Sequence, residues 1–223
     1  MDPRLVTVYE AAGTLFATQG YSTTQVSEIA EAAGIATGTV YALFAGKKAM
    51  LTYVLLATLD PSYFDQEIAL PVQEVSTEVL KRRLSRVLSD LFGAISRRTD
   101  EGEPALSFSG MLSVLFDYVA DYHLAFNIIN SHEDVLPELG RVYRRSVDRL
   151  YRLMENDMRI YIARGDVRDV AMPDLHIHNI LEEITWWAMY VPYQAPDRKI
   201  PVAKAKAIAL DVLRHAYLTH PVG

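Results

Sequence analysis

The sequence predicts an all-α protein, with a three-helix segment of helix-turn-helix layout at the N-terminus and a larger helical domain behind it. Three observations carry this. Apolar residues recur at three- and four-residue spacing along most of the chain, no stretch alternates as a strand would, and glycine or proline falls where the periodic runs end. In 5–19, Leu5, Val8, Ala12, Leu15 and Phe16 share one helical face, and Gly20 closes that helix. Thr24 stands at the expected N-cap of a second helix carrying Val26, Ile29, Ala30 and Ala33, which Gly34 ends. A third helix starts near Thr37 and runs through Val40, Tyr41 and Phe44. Gly46 separates it from a fourth, which Lys47, Lys48 and Met50 open and which runs towards Leu59.

Pro61 and Pro71 make 60–74 irregular, with room for one short helix. Periodicity returns over 75–98, and 99–104 is a loop. The span 105–131 reads as a helix or a kinked pair, and 136–164 as one long amphipathic helix. A turn over 164–173 leads to helices at about 174–191 and 202–218, separated by a proline-bounded loop at 192–201.

The chain has 223 residues, 50% hydrophobic and 22% charged, which suits a globular protein with a sizeable core and excludes a disordered one. With 22 basic against 28 acidic side chains, the net charge is −6. General polyanion binding is thereby excluded, and any nucleic-acid contact must be local. Cysteine is absent, which removes disulfides, thiolate metal sites and cysteine nucleophiles. No basic segment followed by a long apolar run opens the sequence, and the apolar stretch 184–193 is too short to cross a bilayer. A cytoplasmic protein without a membrane partner is expected.

Residues 24–44 hold two short helices joined by a tight turn at Gly34-Ile35-Ala36-Thr37. In such a unit the second helix enters the major groove and the first braces it. Ala30 is small where the helices approach, and Ile29, Ile35, Val40 and Phe44 supply a common core. Further residues stand in a specific register: Ala11-Ala12, Leu15-Phe16, Gly20-Tyr21, Thr24, Ile29-Ala30, Ala33-Gly34, Gly38-Thr39-Val40-Tyr41, Phe44, Lys47 and Leu51. In these, segment 8–51 resembles the N-terminal DNA-binding domain of the TetR family of bacterial transcriptional regulators. The resemblance implies a homodimer that binds operator DNA and represses transcription until a small-molecule effector releases it. It places the DNA-binding domain at 1–51 and a helical effector-binding and dimerisation domain at 52–223. The DNA-facing positions it implies are Thr37, Gly38, Thr39, Tyr41, Ala42 and Leu43, with phosphate contacts from Thr24, Tyr41 and Lys47.

The sequence departs from the family pattern at several positions. Ala36 replaces the usual serine cap, Ser27 a frequent arginine, and Lys48 the usual acid after Lys47, while Ala42 and Leu43 replace polar side chains on the recognition helix. Residues 1–51 hold Arg4, Lys47 and Lys48 against Asp2, Glu10, Glu28 and Glu31. Few cations imply a shallow salt dependence. Without Arg, Lys, Asn or Gln on the recognition helix no bidentate base contact forms, so recognition should lean towards thymine methyls facing Ala42 and Leu43. The alternative is a ligand- or partner-binding dimer whose heads no longer read DNA. An all-α enzyme is a further alternative, although no glycine-rich phosphate loop, nucleophile elbow or HExxH motif is present.

In the larger domain Phe108, Met111, Leu115, Tyr118, Tyr122, His123, Phe126 and Asn127 form an aromatic-rich stripe with polar groups, and Tyr151 and Trp186 join them as effector candidates. An apolar cavity with a few polar groups orients a small ligand, while plain core packing explains the same stripe. His176 and His178 diverge on a helix, so neither a metal nor another cofactor is expected. Ile177, Ile180, Leu181, Ile184, Trp187 and Ala188 form one stripe near the C-terminus, and Ala205, Ile208, Val212 and Ala216 another. By the resemblance these are dimer-interface candidates, with burial inside one chain as the alternative.

Overall fold

The structure, a computed structural model, describes residues 2–132, 134–193 and 200–220. The part of the expected loop at 194–199 therefore lies outside the described residues. Among the described residues the architecture is all-α, as expected, with only isolated bridges in place of strands. The helices are α1 (Pro3–Thr18), α2 (Val26–Ala32), α3 (Thr37–Leu43), α4 (Lys47–Leu59), α5 (Thr77–Ile95), α6 (Phe108–Asp121), α7 (His123–Ser131), α8 (Pro137–Ala163), α9 (Pro173–Thr185) and α10 (Val202–Tyr217). A 3-10 helix (Pro61–Asp65) follows α4, and a π-helical turn (Trp186–Tyr190) extends α9. Two compact units result, residues 1–87 with 124–143, and residues 88–123 with 144–223. No described helix is long and apolar enough to cross a membrane.

In the first unit α4 is enclosed. Every residue from Ala49 to Leu59 is buried, as befits a helix that is apolar on all sides. α1 packs against α2 and α4 through Leu5, Val8, Ala12 and Phe16. A side chain at Gly13 would bring its Cβ to 2.7 Å from Leu124 Cδ2, so the absence of one lets α7 approach α1 closely. Gly20, at φ +94°, ends α1 in the left-handed region that favours glycine.

Thr24 does not cap α2. Its side chain is buried and its hydroxyl donates to the Gly20 carbonyl at 2.7 Å, so it satisfies the end of α1 instead. Gln25 takes the N-cap, and its N–H donates to Glu28 Oε2 at 2.6 Å, half of a capping box. The expected helix at 105–131 is a kinked pair, broken at Tyr122, whose N–H still reaches the Tyr118 carbonyl at 3.2 Å.

The second unit has its own core. Phe108, Met111, Leu112, Leu115 and Phe116 of α6 meet Met154, Met158 and Tyr161 of α8, and Ile177, Ile180 and Ile184 of α9 close over them. Ala205, Ala209, Leu213 and Tyr217 of α10 complete it. The Tyr161 hydroxyl donates to the Leu106 carbonyl at 2.8 Å, which allows a phenol to sit fully inside.

Candidate functional site

α3 presents one face to solvent and one to the core. Thr37, Gly38, Tyr41 and Ala42 are exposed, and Thr39 is half-exposed. Tyr41 keeps 55% of its surface in water, which leaves its ring and hydroxyl open to a partner outside the chain. Leu43 is the exception among the residues expected to face DNA. It lies three residues after Val40 on the inner side of the helix and is buried with it. Of the two apolar side chains expected to meet thymine methyls, Ala42 is therefore the one on the outer face. The N-cap, Ala36, makes no side-chain cap bond, so the first backbone N–H groups of α3 keep their capacity for an outside acceptor.

Lys47 is turned inward. Its ammonium donates to the carbonyls of Tyr21 at 2.7 Å and Thr24 at 2.9 Å, with Ser22 at 3.4 Å, and it lies 4.5 Å from the centre of the Tyr21 ring. An ammonium has three donors, and here a carbonyl cage occupies them all. The cage ties the loop before α2 to the first turn of α4 and so fixes the bracing helix. Neither Lys47 nor buried Thr24 presents its side chain to a phosphate in this arrangement. Lys47→Met keeps the stem and removes the charge. It should lower the unfolding free energy by about 2 kcal/mol, the scale of hydrogen bonds to a charged group. A urea titration that leaves the midpoint unmoved would contradict this.

A short strap follows the same helices. The Val72 N–H donates to the Leu43 carbonyl at 2.8 Å, and the Ala45 N–H donates to the Val72 carbonyl at 3.0 Å. Val72 itself is buried, and the Val75 N–H donates to Thr52 Oγ1 at 3.0 Å. The strap lays Glu74 against Lys48, Oε1 to Nζ at 2.7 Å. The sequence leaves 60–74 room for one short helix, which Pro61–Asp65 forms, but assigns it no role. The one available signal was Lys48, a cation where an acid is usual.

The effector candidates divide. Phe108, Met111 and Leu115 are buried in the second unit's core, and Phe108 stacks edge-on against Tyr161 at 5.8 Å. Tyr118 and Tyr122 have ring centres 6.1 Å apart. His123 stacks on Tyr193 at 3.8 Å, and its Nδ1 lies 2.8 Å from the Ala120 carbonyl. Burial lowers its pKa below the usual histidine value. Tyr151 stacks on His178 at 4.2 Å, and Trp186, half-exposed, lies 5.6 Å from Tyr190. Phe126 and Asn127 belong to the first unit, where Phe126 packs at 5.3 Å from Tyr143 and Asn127 accepts from the Ser131 hydroxyl at 3.2 Å. A cavity of about 340 Å³ opens in the second unit between Ser107, Phe108, Ser109, Arg164, Gly165, Asp166, Leu218 and His220. Of the ten candidates it includes Phe108.

The interface candidates divide more sharply. Ile177, Ile180, Leu181, Ile184, Ala188 and Ala205 are buried inside the second unit, because α9, the π-helical turn and α10 all pack against α6. They belong to the core of the single chain. Trp187 is half-buried, with its indole N–H donating to Glu183 at 2.8 Å, and Ala216 is half-buried too. Ile208 and Val212 are exposed, together with Met172, Leu175, Trp186 and Val202, which the sequence reading did not place at an interface. Among the described residues no group of three or more histidine or carboxylate side chains could hold a metal.

An exposed second helix on a braced helix-turn-helix, joined to an all-helical domain, defines the architecture of helix-turn-helix regulators. Residues 8–54 match the family of bacterial regulatory proteins, tetR family, so the N-terminal segment is a TetR-family domain. The whole chain shares its fold with the ketosteroid transcriptional regulator KstR2 of Mycobacterium tuberculosis, at 18% identity and a TM-score of 0.57 over 99% of this chain and 97% of that one. It is also similar to a candidate transcriptional regulator from Saccharomonospora viridis in complex with choline, at 16% identity and a TM-score of 0.52 over 99% and 100% of the two chains. None of the curated proteins matches the chain by sequence.

Proposed function

We propose that the protein is a dimeric regulator of transcription whose α3 binds operator DNA and whose helical domain takes a small effector. The division of labour follows the sequence, with the head at 1–51 and the effector-binding and dimerisation functions at 52–223. The observation that carries the reading is the outward face of α3, Thr37, Gly38, Tyr41 and Ala42, in a TetR-family domain. Thr39 and Tyr41 supply hydroxyls for phosphate or base, and Ala42 supplies the apolar contact. Two heads related by a two-fold axis match half-sites about 34–36 Å apart. The effector acts by binding one head spacing better than the other, since equal affinity for both shifts nothing. A choline-bound relative of the same fold supports a small-molecule effector.

One observation favours a second reading. All the basic side chains of the head are paired within the chain, Arg4 with Asp2 at 2.6 Å, Lys47 with its carbonyl cage and Lys48 with Glu74. A ligand- or partner-binding dimer with weakened DNA reading accommodates that. Binding of the dimer to DNA flanking its own gene, against a scrambled duplex at low and near-physiological salt, separates the two. The regulator reading expects sequence-specific retention with a shallow salt slope. Tyr41→Ala should weaken that retention by about tenfold without changing the fold. Equal loss of both duplexes as salt rises would favour the second reading.

A further inference from the structure

The strap that closes over the end of α3 carries an acid to the first turn of α4. Its backbone is fixed by three hydrogen bonds at two residues, Val72–Leu43 and Ala45–Val72 on one side of Glu74 and Val75–Thr52 on the other, so Glu74 is held in place rather than trailing. Its carboxylate meets Lys48 at 2.7 Å and holds that ammonium above the usual lysine value. Both side chains remain well exposed, 47% for Glu74 and 54% for Lys48. Exposed pairs of this kind contribute little to stability, so the pair is not needed to hold the strap, which the backbone already holds. What it changes is charge. With Lys47 in its cage, Lys48 and Arg4 are the exposed cations of the head, and Glu74 neutralises Lys48 as Asp2 neutralises Arg4.

We propose that Glu74 masks Lys48 and restrains nonspecific attachment to DNA. The inference rests on the DNA-binding reading above. A phosphate and the Glu74 carboxylate compete for one ammonium. Nonspecific binding is almost wholly electrostatic and bears this loss in full. Contacts from Thr37, Tyr41 and Ala42 to an operator do not depend on Lys48. The mask therefore lowers the affinity for bulk DNA, the competitor of any operator.

The test uses the full chain as wild type, Glu74→Gln, Lys48→Gln and the double variant, each bound to a random-sequence duplex across a salt series. Glu74→Gln should bind about fivefold more tightly at low salt, about 1 kcal/mol. Its slope of log affinity against log salt should steepen by about 0.9, one extra released counterion. Adding Lys48→Gln should abolish both gains. Unchanged affinity and slope in Glu74→Gln would overturn the proposal, as would a gain that persists without Lys48. Failure of all four proteins to bind any duplex at the lowest salt would instead remove the DNA-binding reading, and this inference with it. Circular dichroism of each variant reports whether the fold is retained.

Discussion

Arg98→Ala is expected to destabilise the second unit by about 3 kcal/mol at neutral pH, and the loss should shrink as the solution is acidified. Asp157 is the buried carboxylate of the described residues, with 2% of its side chain exposed. Arg98 reaches it with both terminal nitrogens, at 2.7 Å and 3.3 Å, across 59 residues of sequence. Burial raises the Asp157 pKa above the usual aspartate value, and Arg98 pulls it part of the way back. Removing the guanidinium leaves a buried charge without its partner, the costly way to break such a pair. Because 27% of the Arg98 side chain is exposed, the loss belongs at the lower end of the range for fully buried pairs.

The pH dependence follows from the direction of the shift. A carboxyl whose folded pKa exceeds its unfolded one holds more protons when folded. Its contribution is fully present below the unfolded value and is lost as pH rises through the folded value. Arg98→Ala raises the folded value further, so the variant falls behind wild type most at neutral pH and recovers as Asp157 takes up its proton. Asp157→Asn should cost less, about 1 kcal/mol, because it removes the buried charge and leaves Arg98 free to hydrate. Urea unfolding of both variants at about pH 7 and about pH 5 checks the order and the trend. Equal losses in the two variants, or a pH-independent loss in Arg98→Ala, would contradict the account.

Val212→Asp should convert the proposed dimer into a monomer, with the dissociation constant raised by about a thousandfold or more. Ile208 and Val212, 42% and 47% exposed, lie four residues apart on one outward stripe of α10. In a two-fold dimer each substitution occurs twice. Each copy forfeits about 1.5 kcal/mol of aliphatic burial and must also desolvate a carboxylate. A combined loss of about 4 kcal/mol corresponds to about a thousandfold. Sedimentation should then report the 25.1 kDa chain rather than twice that mass. Ile180→Ala is the informative partner experiment. Ile180 is fully buried inside the second unit, so this variant should lose about 2–5 kcal/mol of stability and stay dimeric while folded. The opposite pattern, with Ile180→Ala monomeric and Val212→Asp dimeric, would restore the inner stripe as the interface. A monomeric Val212→Asp should also lose operator retention, since one head cannot span two half-sites.

Three of the corrections share an origin. Leu43, Ile180 and Lys47 each sit on elements that periodicity locates well, yet each points somewhere the sequence left open. α9 is apolar over a broad arc, so its pattern states that one side is buried without naming which residues a second copy can reach. Thr24 is a good N-cap by residue type, but its hydroxyl found the Gly20 carbonyl first. Arg98 and Asp157 are 59 residues apart and bear no local mark of their pairing.

By itself the sequence determined the helices, their order, and the register of the helix-turn-helix. Those features depend on neighbours within a few residues: apolar spacing at three and four, glycines such as Gly20 and Gly34 at positive φ, and prolines that stop a run. Only the tertiary structure decided the directions of charged and apolar side chains that have two plausible neighbours. Lys47 closes on carbonyls 23 to 26 residues earlier in the chain, Glu74 reaches Lys48 because a strap pairs with the end of α3, and α10 keeps Ile208 and Val212 outside while burying Ala205 and Ala209. Such choices are settled by which distant segments arrive at the same place, since a long side chain takes the strongest partner within its reach and an apolar one takes the nearest dry surface.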